Sequence, residues 1–465
     1  MAHAQRAGHK AEGIAGATSQ LVSLVTELSW ATLDPAVRHS AKRHFLDTVG
    51  VLIAGGHGDV GNKLDELLAQ IRPAGGTVPV PGRARRVDML DAASIGGTGG
   101  HGIELDDGYR LGSVHPGVAV LPALLSLAHG RKISGAQMLE AVVAGYETVT
   151  SVARAAHPMM RRRGFHPTGA VGALGAAAAA GRLLAFDTVQ LANAIGLSAS
   201  GSAGLFAFLG GGADVKRLHA GHAASEGLKA ALLAQHGVEG PTNVLEAADG
   251  FFQAFAAEAS ASKFSVPPMA EFGLLDCYIK PYACCRHLQP AVEALMELCR
   301  ENDLSEADVQ RIDVETYSIA ADHAETGWSS FASAQLSFAF ILGLGLKYGA
   351  IELKHFEIDV LQHSSFHDIA GRIYVTVCPE LDATYPDNRP ARVTLHTTRG
   401  TFTRTAMEAL GSRELPLDDA GLERKFIALV TPVLGADRAR DLINQIWSLE
   451  SVADVTPFIE LTSKP

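Results

Sequence analysis

Between residue 18 and about residue 235, apolar residues recur every three or four positions. This spacing predicts a succession of α-helices, over residues 19–29, 35–54, 88–95, 118–127, 134–155, 168–184, 187–197 and 216–235. Asp34 and Ser134 stand where N-cap residues are expected. The segment 168–184 is rich in alanine and glycine, which let neighbouring backbones approach closely, so we expect it at the centre of the helical part. The first half of the chain is therefore predicted to be mostly helical.

The character of the sequence changes after about residue 264, where Pro267 and Pro268 mark a boundary. Short runs with β-type composition follow, at residues 312–317, 373–377, 392–397 and 401–406. The last two runs flank Thr398-Arg399-Gly400, which predicts a hairpin. Further helical segments are predicted at residues 290–302, 335–346, 364–372, 418–434 and 437–448.

These patterns together predict a mainly α fold with an α+β part. We expect a large all-helical domain over residues 1–266, with residues 408–465 packing back on it. A smaller α+β lid domain over residues 267–407 would be inserted between these two pieces. Such an arrangement leaves a cleft between the domains, where binding sites are commonly built.

Composition narrows the classes of function. The 465 residues carry a formal net charge of −11, which disfavours nucleic acid or an anionic membrane surface as the main partner. The longest apolar run, residues 170–181, is too short to span a bilayer. Residues 1–16 lack the apolar core of a signal peptide and are predicted to form a frayed tail. Five cysteines without CxxC spacing fit a reducing compartment, so we expect a cytoplasmic protein.

The stretch 101–117, HGIELDDGYRLGSVHPG, concentrates carboxylates and imidazoles in a short segment. The glycines just upstream let the backbone turn sharply or approach another element closely. Residues 97–102 match GxGxxG, but a helical segment precedes them and the acidic run 104–107 follows, which argues against a dinucleotide site. Either an acidic surface loop or a functional site fits this stretch when it is taken alone.

Two later clusters place basic residues near predicted helix starts. In RRRGFHPT, residues 161–168, the three arginines fit a solvated turn, whereas His166 stands at the entrance of a buried helix, a position suited to a carboxylate. In DVKRLHAGH, residues 214–222, Lys216 heads a helix where the helix dipole disfavours a cation, so we expect it to bind an anion. His219 fits helix packing about as well as a functional role.

A fourth cluster, YIKPYACCRH, covers residues 278–287. Lys280 precedes a proline, which holds its backbone extended. Its side chain is either an ordinary surface group in a turn or one that projects across the predicted domain boundary into the cleft.

The four clusters, in this order, resemble the MmgE/PrpD family, which includes 2-methylcitrate dehydratase, cis-aconitate decarboxylase and iminodisuccinate epimerase. The matching motifs are GIELDD at 102–107 with HP at 115–116, GFHPT at 164–168, KRLHAG at 216–221, KPY at 280–282 and LERKF at 422–426. The resemblance covers essentially the whole chain. It implies a large helical domain with a smaller α+β lid, and a homodimer.

The resemblance also implies roles for individual residues. The family's catalytic and substrate-contact positions fall on Glu104, His115, His166, Lys216 and Lys280. We expect His115 to be the principal acid/base, because an imidazole titrates near neutral pH. His166 is the second candidate, to protonate a leaving hydroxyl or to bind a carboxylate.

The remaining predicted site residues assist these groups. Glu104 or Asp107 would orient His115 or stabilise its charged form. Lys216 and Lys280 would stabilise charge that develops on carboxylate oxygens. His219 and Tyr282 are also expected to contact the substrate, and no metal ligand is predicted.

Several positions depart from the family pattern. Glu104 stands where many members carry Asp, and Gly108 stands where decarboxylase-like members carry Thr. Cys285 corresponds to a position that is His in the decarboxylase, and Gln289 replaces a frequent His. These differences argue against decarboxylation and leave the substrate open.

The leading functional prediction is a cofactor-independent lyase that dehydrates a hydroxylated di- or tricarboxylate. It would remove a proton next to a carboxylate. The alternatives are an epimerase of an iminodisuccinate-like substrate, a decarboxylase of a cis-aconitate-like acid and, more remotely, a metal-dependent hydrolase using Glu104, Asp106, Asp107 and His115. The expected partner is a small polycarboxylate.

Overall fold

The computed structural model describes residues 16–210, 214–256 and 259–465. The predicted N-terminal tail therefore lies, apart from Gly16, outside the described residues. Among the residues that are described, most are helical, and a small mixed sheet lies in the C-terminal part, as the sequence predicted.

The N-terminal part is a set of helices packed around one apolar core. They are α1 (Ala17–Glu27), α2 (Pro35–Gly55), α3 (Asp59–Ile71), α4 (Met89–Gly102), α5 (Gly117–Ala128), α6 (Gly135–Ala156), α7 (Met159–Arg162), α8 (Pro167–Leu183), α9 (Thr188–Ser200), α10 (Val215–Gln235), α11 (Phe251–Phe255) and α12 (Ala259–Lys263). Three two-residue strands also occur here: β1 (Val78–Pro79), β2 (Arg86–Val87) and β3 (Gly108–Tyr109). This part is thus not entirely helical.

The local signals in the sequence correspond to real features. The side chain of Asp34 accepts a hydrogen bond from the Ala36 N–H at 2.7 Å, and that of Ser134 accepts one from the Gln137 N–H at 3.3 Å. Helix α8 is buried along nearly its whole length and packs against α5, α6, α9 and α10, so its alanine and glycine content did indicate a central position.

Helix α4 is longer than predicted, because it continues through the glycine run to Gly102. The glycines are there for close packing. A Cβ on Gly97 would lie 2.8 Å from the Cα of Gly221 in α10, and a Cβ on Gly99 would lie 2.6 Å from the carbonyl oxygen of Gly55 in α2. The GxGxxG match is therefore helical and does not form a phosphate-binding turn.

The C-terminal part combines further helices with the sheet. The strands are β4 (Cys277–Tyr278), β5 (Val309–Thr316), β6 (Ile373–Val377), β7 (Ala391–Thr397) and β8 (Gly400–Ala406). The helices are α13 (Gln289–Glu301), α14 (Ser318–Ala321), α15 (Phe331–Ala334), α16 (Phe338–Tyr348), α17 (Ile358–Leu361), α18 (Ser365–Ala370), α19 (Pro379–Asp382), α20 (Asp419–Leu434), α21 (Ala436–Trp447) and α22 (Thr456–Leu461).

The sheet has the order β6-β5-β7-β8. Strand β5 pairs with β6 in parallel and with β7 antiparallel, while β7 and β8 form the predicted hairpin. One face of the sheet is covered by α13, which buries Val393 and Leu395 of β7. Strand β4 instead pairs with β3, so residues 277–278 join the N-terminal part directly to the segment that carries Glu104.

Helix α20 returns to the N-terminal part. The ring of Phe426 lies against α2 so closely that a Cβ on Gly50 would be 2.8 Å from it. Helix α20 therefore packs against α2, and the predicted division into domains stays a prediction. Among the described helices, none is both long enough and apolar enough to cross a membrane.

Candidate active site

A cavity of about 70 Å³ lies between the N-terminal helices and the C-terminal part. All four sequence clusters contribute to its wall. The side chains that line it include Glu104, His115, His166, Lys216 and Lys280. The five positions that the family resemblance singled out therefore meet around one space.

Glu104 lies between the two lysines. It follows the end of α4 with a left-handed backbone (φ 54°), and its carboxylate is buried. One oxygen accepts a hydrogen bond from Lys280 Nζ at 3.2 Å, and the other accepts from Lys216 Nζ. Burial alone would raise the pKa of Glu104, but the ammonium groups of Lys216 and Lys280 lower it well below its usual range. Glu104 is therefore an ionised bridge between the two cations.

Asp106 joins the imidazoles to Lys280. Its Oδ2 lies 2.6 Å from His101 Nδ1 and 3.3 Å from His115 Nδ1, and its Oδ1 accepts from Lys280 Nζ at 3.3 Å. Burial opposes ionisation here too, but His115, Lys280 and His101 lower the pKa of Asp106 well below its usual range. The pKa of Lys280 is in turn raised, because Asp106 and Glu104 outweigh its burial.

His115 stands at the start of α5 and has one defined tautomer. Its Nδ1 lies 2.6 Å from the backbone carbonyl oxygen of Asp107, which can only accept, so Nδ1 carries a proton and Nε2 is left for a substrate. Burial lowers the pKa of His115 to about 4, since the nearby Lys280 adds to the effect and Asp106 only partly offsets it. The imidazole is therefore neutral at pH 7, as a general base must be.

Asp107 faces away from the cavity. Its Oδ1 accepts the Gly117 N–H at 3.0 Å, at the start of α5, and its Oδ2 accepts the Tyr146 hydroxyl at 2.7 Å, with His44 Nδ1 2.9 Å away. Both carboxylate oxygens are thus occupied within the protein. Asp107 contacts His115 through its backbone carbonyl, and its orienting role stays a prediction.

His166 and His219 form a pair beside the cavity. His166 immediately precedes α8, and its Nδ1 lies 2.9 Å from His219 Nδ1, so one ring donates and the other accepts. Burial, together with the neighbouring His101, lowers the pKa of His166 well below its usual range and that of His219 to about 4. Both rings are neutral in the free protein, and His219 supports His166 from behind without lining the cavity.

The structure does not bring Tyr282 to this cavity. Its side chain lies next to Glu293 of α13, and burial, together with that carboxylate, raises the pKa of the Tyr282 hydroxyl. Its backbone carbonyl accepts a hydrogen bond from Gln289 at 3.2 Å. The extended backbone before Pro281 turns Lys280 and Tyr282 toward different surroundings, so substrate contact by Tyr282 stays an unsupported prediction.

Comparison with known proteins identifies the chain. A family model described as the MmgE/PrpD N-terminal domain matches residues 19–263, and one described as the MmgE/PrpD C-terminal domain matches residues 282–450. The chain belongs to the MmgE/PrpD family. It is thus an enzyme of a family that acts on carboxylic acids.

The curated relatives match along almost their full length. A cis-aconitate decarboxylase of Aspergillus terreus is 25% identical over 480 residues, covering 97% of this chain and 96% of the relative. A cis-aconitate decarboxylase-like protein of Aspergillus oryzae is 26% identical over 471 residues, covering 96% and 97%. The cis-aconitate decarboxylase of Homo sapiens is 27% identical over 475 residues, covering 96% and 95%.

Several residues of this MmgE/PrpD site were missed from the sequence. His101 is fully buried and lies 2.6 Å from Asp106, yet the sequence gives it no signal that distinguishes it from the rest of the stretch 101–117. Arg161 was interpreted as a solvated turn residue but lines the cavity. Arg389 and His323 also line it and stand in no motif, so no local signal pointed to them.

One group of side chains in the described residues has the proximity that a metal site requires. His101, Asp106 and His115 present ligand atoms within 4.8 Å of one another. This set differs from the predicted one, because Glu104 is engaged by two lysines and Asp107 by Gly117 and Tyr146. The ammonium of Lys280, 3.3 Å from Asp106, opposes the binding of a cation there.

Proposed function

We propose that this MmgE/PrpD enzyme is a lyase of small polycarboxylates and that it dehydrates a hydroxylated di- or tricarboxylate. The observation that carries the proposal is a cationic cavity beside a neutral imidazole. Five cationic side chains and one carboxylate are among the described residues lining this cavity, although the chain as a whole is acidic. Such a site attracts polyanions.

His115 is the proposed base. Its Nε2 would remove the proton next to a substrate carboxylate, while the Asp107 carbonyl holds the ring in place. As the imidazolium forms, the Asp106 carboxylate, 3.3 Å from Nδ1, stabilises the new positive charge. A bound polyanion offsets part of the field of Lys216 and Lys280, so the pKa of His115 should rise from its low value when substrate binds.

Lys216 and Lys280 are the proposed electrostatic catalysts. Removing the proton places negative charge on the carboxylate oxygens of the substrate. Ammonium groups fixed beside those oxygens stabilise that charge more than they stabilise the ground state. Glu104 holds both groups in position in the free enzyme.

His166 is the proposed proton donor to the leaving hydroxyl. It is neutral in the free enzyme, but the negative charge of a bound substrate favours its protonation. Loss of hydroxide from the adjacent carbon then gives the alkene and water.

Decarboxylation is the second candidate, because the relatives reported above are named as cis-aconitate decarboxylases. The same cations would hold the substrate carboxylates, and the proton would be delivered to carbon as CO₂ leaves. The resemblance described from the sequence implies His at the position of Cys285 in the decarboxylase, and this difference favours the dehydratase.

The test is a thermal-shift and turnover screen over 2-methylcitrate, citrate, cis-aconitate and iminodisuccinate. We expect stabilisation by at least one acid and the appearance of alkene absorbance with a hydroxylated one. Release of CO₂ from cis-aconitate would establish the second candidate instead. Deuterium exchange from D₂O without alkene would indicate an epimerase, and loss of turnover after chelation would indicate a metal enzyme. Neither stabilisation nor turnover with any of these acids would contradict the proposal.

A further inference from the structure

A cysteine and a histidine from different elements meet at the cavity wall. Cys285 follows the Lys280 segment, and its N–H donates to the carbonyl of Gln335 at 2.9 Å. His323 follows α14 and is 7% exposed. The Sγ of Cys285 lies 4.0 Å from Nε2 of His323, and both side chains line the cavity. This distance is at the outer limit of a hydrogen bond to sulfur, so a small side-chain movement brings the thiol within reach of a base that can take its proton.

The two groups favour each other's charged form. Burial alone would raise the pKa of the Cys285 thiol, but the facing His323 imidazole lowers it below its usual value. Burial would likewise lower the pKa of His323, yet the sulfur raises it. Other charged groups also act on the pair. Lys216 favours the thiolate but opposes the imidazolium, Glu104 opposes the thiolate, and Asp322 favours the imidazolium. Arg161 and Lys280 also face the sulfur and favour the thiolate.

The other four cysteines differ from Cys285. Burial raises the pKa of Cys277 and of Cys284, and it raises that of Cys299 to about 11. Cys378 is buried away from the cavity. The chain therefore contains its own control thiols.

The cavity wall also carries a buried cation, Arg389, whose side chain is hydrogen-bonded to Tyr278. Arg389 is 3% exposed, and its Nε has no hydrogen-bond partner among the described residues. It lines the same wall as Cys285, together with Arg161, whose guanidinium lies 3.7 Å from the ring centre of Phe206. A carboxylate held by these groups would lie in the same small cavity as the sulfur.

We propose that Cys285 and His323 form a nucleophilic thiolate–imidazolium pair that adds to α,β-unsaturated carboxylates bound in the cavity. The proposal rests on the proposed function only for the premise that the cavity binds carboxylates. An alkene conjugated to a carboxylate, the product class of the proposed dehydration, is itself such an electrophile.

The step is balanced without any further reactant. The thiolate of Cys285 forms a carbon–sulfur bond to the β-carbon, and the electron pair of the double bond moves toward the α-carbon and its carboxylate. The imidazolium of His323 then gives its proton to the α-carbon. The product is a thioether that contains the whole acid, and the reverse elimination restores the free thiol.

The first test uses the unmodified enzyme and two alkylating agents, iodoacetate and iodoacetamide, at pH 7, with the labelled cysteines mapped by peptide mass spectrometry. An ordinary thiol is only a few per cent thiolate at this pH, so we expect Cys285 to react at least about tenfold faster than Cys299. The ratio of the labelling rate at Cys285 to that at Cys299 should be higher with the anionic iodoacetate than with the neutral iodoacetamide. Citrate should slow the labelling of Cys285 by both reagents. Equal rates at Cys285 and Cys299, or a preference of Cys285 for the neutral reagent, would overturn the proposal.

The second test uses maleate as the unsaturated acid and succinate as its saturated control. We expect a mass gain of one whole maleate on the peptide that contains Cys285, and no gain with succinate. H323Q should slow both alkylation and addition about tenfold, whereas C284S should leave both rates at Cys285 unchanged. Failure of maleate to add to an enzyme that iodoacetate labels at Cys285 would overturn the assigned ligand class. Because the readout is a covalent mass, it is independent of whether any acid is turned over.

Discussion

His115 shows how the surroundings of one side chain set its chemistry. Its Nδ1 is committed to the Asp107 carbonyl, and burial keeps the ring neutral at physiological pH. A neutral, oriented imidazole is ready to accept a proton. The same ring exposed on the surface would be partly protonated and free to rotate.

This arrangement predicts an unusual pH profile. The active form of His115 is neutral and its pKa is about 4, so the acidic limb of kcat/KM should lie near pH 4, whereas the need for a protonated His166 should lower kcat/KM again toward high pH. The acidic limb of the kcat profile should lie at higher pH than that of kcat/KM, since a bound anion raises the pKa of His115. H115A should lower kcat/KM by about 10²–10⁴-fold and remove the acidic limb.

The measurement is a set of initial rates across pH, plotted against the concentration of fully ionised substrate. Enzyme returned to pH 7 after each incubation must recover its activity, which separates titration from unfolding. An acidic limb in kcat/KM near pH 6.5, the value of an ordinary imidazole, would contradict the assignment of His115.

Glu104 compensates two buried cations, and a second prediction follows from that. E104Q leaves Lys216 and Lys280 with less compensation, which should lower the free energy of unfolding by about 3–5 kcal/mol. Citrate bound beside the lysines would replace the missing charge. Citrate should therefore raise the melting temperature of E104Q more than that of the unmodified enzyme.

The matched control is E140Q. Glu140 accepts from the Trp30 N–H at 2.6 Å and pairs with Arg182, outside the cavity. E140Q should be less stable than the unmodified enzyme, but citrate should raise the melting temperature of the two proteins by the same amount. An equal or smaller citrate response in E104Q than in the unmodified enzyme would show that the anion does not bind at these lysines.

At the scale of elements, the site depends on close contact between α4 and α10. These helices carry His101 and the pair Lys216 and His219, respectively. A Cβ on Gly221 of α10 would lie 2.2 Å from the carbonyl oxygen of Ser94 and from Thr98 Oγ1 in α4. Only a glycine permits this approach.

G221A should therefore force the two helices apart. We expect a loss of about 1–3 kcal/mol in the free energy of unfolding, because backbone would have to shift. Activity should fall further than stability explains, since Lys216 would move away from Glu104. Chemical denaturation and kcat/KM, both measured below the unfolding transition, check this.

G345A in α16 is the control for this helix contact. The nearest atom to a Cβ there is Leu295 Cδ2 at 3.5 Å, an ordinary contact, and alanine favours the helix by up to about 1 kcal/mol. This variant should be as stable as the unmodified enzyme or more so. If G221A behaved like G345A, the α4–α10 contact would not be limiting.

At the scale of the whole molecule, the C-terminal helix α20 supports the site from behind. Lys425 donates to Asp47 Oδ1 in α2 at 2.5 Å and to the carbonyl of Leu105 at 2.8 Å. Leu105 lies between Glu104 and Asp106. A residue near the end of the chain thus helps to hold the loop that carries both carboxylates.

Substitution of Lys425 should lower the free energy of unfolding by an amount that depends on pH. Burial raises the pKa of Asp47, and Lys425 partly opposes that rise. In K425M the folded-state pKa of Asp47 should rise further. When the pKa of a carboxyl group is higher in the folded than in the unfolded protein, the free energy of unfolding falls as pH increases from the unfolded-state pKa through the folded-state pKa. The loss of stability in K425M should therefore be greater at pH 7.5 than at pH 5.

We expect the deficit at pH 7.5 to be about 3–5 kcal/mol, measured by urea unfolding. The double variant K425M/D47N removes the buried charge and should recover much of it. A deficit that is the same at both pH values, or one that the second substitution does not relieve, would contradict a charge-based link between α20 and α2.

Local patterns in the sequence predicted most of the longer elements, but not helix α3 (Asp59–Ile71) or the two-residue strands β1 to β4. Helix spacing located every N-terminal helix that was predicted, and β-type runs located the four strands of the sheet. The capping residues Asp34 and Ser134 were also predicted, because a cap involves residues only two or three positions apart. The C-terminal end of α4 was not predicted, since its glycines favour turns unless another helix packs against them.

The sequence by itself determined most of the long helices, the four strands of the sheet and the ordered motifs of the family, because each depends on residues that are neighbours in the chain. Only the tertiary structure decided that Glu104 bridges Lys216 and Lys280, that Asp107 turns away from the cavity, and that His323 meets Cys285. These contacts join residues far apart in sequence. They exist because the packing of whole helices brings one particular face of each against another, and no local periodicity records which faces will meet.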